Sequence, residues 1–116
     1  MLRKSNAAAL PHDALEALGN AERRRLVEAL ADGPRSVGEL AAQFPISRPA
    51  VSRHLAQLER AGLVAHRAEG TRNLYFLDTA GLEATSAWLN RFWDEAAARL
   101  RLVAENTTPA RTARHE

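Results

Sequence analysis

Apolar residues recur along this chain of 116 residues in two rhythms. Over most of it they return every three or four positions, the period of one helix face. After Gly62, β-prone residues crowd into two short runs instead. The first helical stretch starts at Pro11, where a missing N–H is tolerated. "HDALEAL" then turns Ala14, Leu15 and Leu18 inward before Gly19 stops it. Asn20 caps a second helix, "AERRRLVEALADG", with Leu26, Val27 and Leu30 inside and Gly33 at its end. Ser36 and Glu39 have capping-box spacing, in which each side chain satisfies the other's orphan backbone N–H. They open a short helix, "VGELAAQF", that ends before Pro45.

The stretch "PISRPAVSRHLAQLERAGL" predicts a fourth helix. Ser47 is its cap, Pro49 lies in its first turn, and Gly62 supplies the left-handed residue that closes it. Val51, Leu55, Leu58 and Ala61 form its buried side. "LVAHRAE" and "NLYFLD" then flank "GTR", a strand–turn–strand pattern. Asp78 or Thr79 caps a long final helix running to about Glu105. Residues 1–10 read as a flexible arm and 106–116 as a disordered tail, leaving 11–105 as one folded domain.

A short helix, a tight turn and a second helix over 36–61, followed at once by a hairpin, make a winged helix-turn-helix. The fold class is therefore mainly α: about five helices plus a two-stranded wing over 63–77. With residues spaced 100° apart, Leu55 and Leu58 fall within about 40° of Val51. Pro49, Arg53, Ala56 and Arg60 lie near the opposite pole. Arg48 and Ser52 occupy one flank, and Ala50 and Gln57 the other. That outer face has no bulky obstruction, and a helix fits the major groove of B-DNA. Arginine there can donate two hydrogen bonds to guanine, while Ser and Gln suit phosphates or adenine. Arg53 is the first candidate for base contact. His54, about 60° from the buried centre, can equally pack against a neighbouring side chain or touch a phosphate.

Charge sharpens this picture. The net charge is only +2, but residues 47–77 carry Arg48, Arg53, Arg60, Arg67 and Arg72 against Glu59 and Glu69. The positive excess therefore sits on the fourth helix and the hairpin, as double-stranded DNA would require. Gly70 meets the turn's demand for positive φ; Arg72, just past it, and Arg67, on the first strand, can reach the backbone or minor groove. Arg23, Arg24 and Arg25 are odd, because cations near a helix N-terminus oppose its dipole. Solvent exposure, a salt bridge across a dimer and a phosphate contact all remain open for them.

The remaining features exclude more than they suggest. The chain has no cysteine, which rules out disulfides, thiolate metal sites and thiol redox sensing. No apolar run reaches the length of a membrane span, and no signal peptide is evident, so a cytoplasmic location and no membrane partner are expected. Ser52 and His54 point about 160° apart around their helix and cannot share a proton. The other histidines lack partners at metal or triad spacing, so no enzyme, metal or cofactor is expected.

The segment "SVGELAAQFPISRPAVSRHLAQLERAGLVAHRAEGTRNLYFLD" resembles the ArsR-type family of bacterial winged-helix transcriptional repressors. The likeness runs from about Leu15 to Phe92, and "RRRLVEAL" is similar to the family's second helix. The resemblance implies a homodimer that occupies operator DNA and blocks transcription, releasing it on a signal. It matches Ser47, Arg48, Pro49, Ser52, Arg53 and His54 to the DNA-reading helix, and Gly70 and Arg72 to the wing tip. The family's metal sensors carry a cysteine pair in the helix written here "GELAAQF", or His/Asp/Glu sets on the last helix. This chain carries neither, so any effector would be a small molecule or another protein.

A second copy is the other expected partner. In the last helix Leu82, Leu89, Phe92 and Ala96 share a stripe that Trp88 and Leu100 widen, with Trp93 to one side. A chain this short cannot bury all of these, so the stripe, with Leu15 and Leu18 of the first helix, is the expected homodimer interface. The competing reading is a winged-helix module for protein–protein contact without DNA, against which Arg48, Arg53 and Arg72 count.

Overall fold

Capping side chains and glycine stops divide the chain into seven elements, described for residues 11–107 in a computed structural model. They are α1 (Pro11–Ala17), α2 (Ala21–Leu30), α3 (Val37–Gln43), α4 (Arg48–Arg60), β1 (Val64–Glu69), β2 (Arg72–Leu77) and α5 (Thr79–Thr107). The expected arm over 1–10, and the expected tail beyond 107, lie outside the described residues. The fold is the winged helix-turn-helix that the order of elements implies.

Local chemistry accounts for most of the boundaries. The Asn20 side chain accepts from the Arg23 N–H, and the Ser36–Glu39 capping box is complete, at 3.1 and 2.8 Å. Ser47 Oγ accepts from the Ala50 N–H at 3.3 Å to start α4. Asp78 Oδ1 accepts from the N–H groups of Ala80 and Gly81 to start α5, which runs two residues past its expected end.

The core forms where the inner faces meet. Leu26, Leu40, Val51, Leu55, Leu58, Leu63 and Val64 are fully enclosed, each contributing about 1.5–3 kcal/mol. In α1 the inward positions are Ala14 and Ala17; Leu15 and Leu18, expected inside, are only half-buried. β1 and β2 pair antiparallel from Val64↔Leu77 to Glu69↔Arg72, so the loop is just Gly70 and Thr71. Gly70 has φ +65° and Thr71 does not have positive φ, the pattern of a II′ hairpin turn.

Two long-range features had no sequence signal. Arg35 adds a third-strand bridge to the wing, exchanging backbone hydrogen bonds with Tyr75 at 3.0 and 2.8 Å. At the start of α5, an ideal Cβ on Gly81 would lie 1.6 Å from the Gly62 carbonyl oxygen. The first turn of α5 therefore rests directly on the backbone that ends α4. Chain packing divides after Thr85. The first unit comprises α1 to β2 and the first turns of α5, with Leu82 against its core. The second begins at Ser86 and continues the helix, where Trp88 stacks on Phe92 at 5.6 Å and Phe92 meets Trp93 edge-on at 5.8 Å.

Candidate nucleic-acid interface

α4 is held from beneath by Val51, Leu55 and Leu58, all 0% exposed, which fixes what its other side presents. Arg48, Pro49, Ser52, Arg53, Ala56, Gln57 and Arg60 are exposed, as the helical spacing requires. Arg53 has no hydrogen bond or ion pair with any other described residue, so its guanidinium is available to a ligand. Ser47 sits at the N-terminus with its hydroxyl engaged in capping.

The flank toward α2 is built differently. His54 Nε2 lies 3.0 Å from Glu22 Oε1, and the ring is largely covered. Its Nδ1 is buried without a partner, which fits a ring donating from Nε2 and keeping a bare lone pair on Nδ1. Gln57 Oε1 accepts from Arg23 Nη1, while Arg23 Nε donates to the Ala17 carbonyl at 2.6 Å. Arg24 Nη1 donates to the Leu18 carbonyl at 2.7 Å. These contacts account for two of the three arginines. Arg23 and Arg24 reach back to the C-terminal carbonyls of α1, where a cation is favourable, and so escape the unfavourable dipole of their own helix. His54 Nε2 and Gln57 Oε1 thus brace α4 against α2.

The wing supplies the remaining cations. Arg67 lies over the Phe76 ring at 5.5 Å, and Arg72 Nη1 lies 3.7 Å from Glu39 Oε2. Glu39 is held below the usual carboxylate range, chiefly by the Ser36 backbone N–H and also by the charges of Arg72 and Arg35. Gly70 projects at the tip with open space around it. At the base of the wing, His66 Nδ1 pairs with Glu59 at 2.9 Å and its ring lies 5.1 Å from Tyr75. Burial, then the charge of Glu59, pushes the Tyr75 phenol above its ordinary value.

Sequence reasoning missed two residues here. Gly38 lies beneath Arg48: an ideal Cβ on it would sit 2.8 Å from Arg48 Nη2 and 3.3 Å from Cζ. Glu39 was assigned a cap but not its second contact, with Arg72. The only hint of the first was a glycine inside a helical pattern, which needs a packing reason.

Among the described residues no three His, Asp or Glu side chains converge as a metal site, and no helix is long and apolar enough to cross a membrane. Of the expected dimer residues, Leu18 and Leu82 pack against the chain's own core. Leu15, Trp88, Leu89 and Ala96 are half-buried, and Phe92 is 48% exposed.

Residues 20–66 match the sequence profile described as "Bacterial regulatory protein, arsR family". The HTH-type transcriptional regulator Rv2034 of Mycobacterium tuberculosis is 52% identical over 86 residues, 74% of this chain and 80% of the relative. The chain belongs to the ArsR family. This ArsR-family protein is also 37% identical to the transcriptional activator HlyU of Vibrio cholerae, over 71% of the chain and 76% of the relative. It is similar to a solved homodimeric winged helix-turn-helix DNA-binding domain from Mycobacterium bovis, with TM-score 0.60 and 30% identity, covering 72% of this chain and 78% of the other. ArsR-family membership makes it a DNA-binding transcriptional regulator and not an enzyme.

Proposed function

We propose that the protein is a homodimeric repressor that binds a pseudo-palindromic operator, with α4 in the major groove and the β1–β2 wing on the adjacent backbone. One observation carries this reading: the outer face of α4 is exposed and holds Arg53 at its centre with no partner among the described residues. Arg53 reads a base edge. Arg48 and Ser52 grip from the flank, with Ser47 and Pro49 at the helix start, and Arg67, Gly70 and Arg72 form the wing contact. His54 and Gln57 set the pitch of α4 by holding α2. The homodimer rests on the half-exposed aromatic stripe of α5 and on the homodimeric state of the Mycobacterium bovis relative. Repression needs nothing beyond occupancy, because a dimer seated on a promoter excludes polymerase.

The test begins with heparin retention and a salt-dependent mobility shift on genomic fragments, followed by footprinting of the retained site. The expected footprint is a pseudo-palindrome with half-sites about one helical turn apart, roughly 34–36 Å. A promoter–reporter fusion should fall silent when the protein is supplied. Activation instead would align it with the Vibrio cholerae relative. Absence of any salt-dependent DNA binding would favour the protein-interaction reading.

A further inference from the structure

Arg48 and Arg72 come from different elements, the start of α4 and the start of β2, yet they line one cleft. Its volume is about 340 Å³, and its other walls are Ser36, Val37, Gly38 and Asn73. The Arg48 guanidinium lies across Gly38, in space that any other side chain would claim. Arg72 is paired with Glu39, 3.7 Å away. The charged residues lining this space are Arg48 and Arg72, both cationic, and Glu39 meets the second of them.

We infer that this cleft is a clamp for a single backbone phosphate of the DNA, gripped from both sides by Arg48 and Arg72. The inference rests on the DNA-binding reading and goes beyond it, because it makes two cations act on one phosphate. Gly38 is the positioning residue: it leaves the space into which the Nη2 end of the Arg48 fork fits. Glu39 is the internal competitor that holds Arg72 in place until a phosphodiester displaces it. The consequence is mechanical. Helix and wing are registered on the same phosphate, so the base-reading position of Arg53 is fixed relative to the backbone.

The salt dependence of binding decides the matter, because its slope counts phosphates neutralised at about 0.9 each. Wild type, Arg48→Ala, Arg72→Ala and the double variant are titrated against the duplex that wild type selects from genomic DNA. If one phosphate is shared, each single variant loses up to about 0.9 of slope per protomer and the double variant loses no more than about 0.9. Losses that add, to about 1.8 per protomer, overturn the clamp while leaving DNA binding intact. A wild type with no salt-dependent binding overturns the clamp and the DNA reading together.

Gly38→Ala separates positioning from folding. Alanine favours helix, so the melting temperature should hold or rise, while the slope falls as in Arg48→Ala. A Gly38→Ala protein with wild-type slope removes Gly38 from the clamp. Glu39→Gln keeps the capping oxygen and removes the charge, so it should tighten binding several-fold in wild type and not in Arg72→Ala. A duplex scanned with single neutral methylphosphonates should show one position per half-site that weakens wild type and leaves the double variant unaffected. Inorganic phosphate, matched with chloride for ionic strength, should not displace the DNA. Phosphate that protects Arg48 and Arg72 while operator affinity stays unchanged would make the cleft a free-anion site, and the assignment to DNA fails.

Discussion

Arg53 and Arg72 carry the same charge in different surroundings. Arg53 has no partner among the described residues, while Arg72 already shares its charge with Glu39 across 3.7 Å. Arg53→Ala should therefore cost about 1–3 kcal/mol on the operator and relax preference at one position per half-site. Competition binding against a mutated-operator panel measures both effects. An equal loss on random DNA would show that Arg53 holds backbone. Glu39 offers a second residue-scale test, through acid. Its folded value lies below the ordinary 4.5, so the native state favours the carboxylate. The resulting stability is present above pH 4.5 and is lost as pH falls through the lowered value. Melting curves of wild type and Glu39→Gln should differ most above pH 4.5 and converge below the folded value.

Among the elements, α2 shows how a sequence feature can be visible while its partners are not: Arg24 and Arg25 are exposed, as expected. Three arginines at a helix start look exposed or destined for a ligand. Arg23 and Arg24 in fact close the carbonyl end of α1, at Ala17 and Leu18. Arg23→Ala removes two hydrogen bonds from a charged donor and should cost about 1.5–3 kcal/mol, whereas Arg25→Ala should be near neutral. Thermal melts of the two variants measure the contrast. The caps at Asn20, Ser36 and Ser47 and the inner face of α4 were legible because each depends on residues within one or two turns. The Arg35–Tyr75 bridge, the seat at Gly38 and the His54–Glu22 tie were not legible. Each joins positions far apart in sequence, and no local period records such a pairing. The same limit explains Leu15 and Leu18: spacing marks an apolar face, but the neighbouring helix decides which part of it is covered.

At the scale of the whole molecule, one winged helix touches few base pairs, and useful affinity comes from two copies rigidly joined. Phe92 is the place to test that join. It is 48% exposed in the single chain and rests on Trp88 in its own helix, so a charge there should leave the chain folded. Phe92→Asp should give a monomer by sedimentation, with unchanged helical content and operator affinity lower by roughly two orders of magnitude. A Phe92→Asp protein that stays dimeric would move the joint elsewhere.

The contact between Gly81 and the Gly62 carbonyl involves no side chain, and that has a consequence for how such a regulator can diverge. The main chain at Gly62 and Gly81 thus adds to the buried side chains of α4 a support that does not depend on the helix's outer residues. On the proposed reading, residues 49, 52, 53 and 56 can then be rewritten as a cassette, retargeting the protein without reshaping it. The cost of that freedom falls on one position. In a saturation library Gly81 should admit no substitute, with Gly81→Ala losing about 1–3 kcal/mol of stability, while positions 49, 52, 53 and 56 tolerate broad exchange in melting assays.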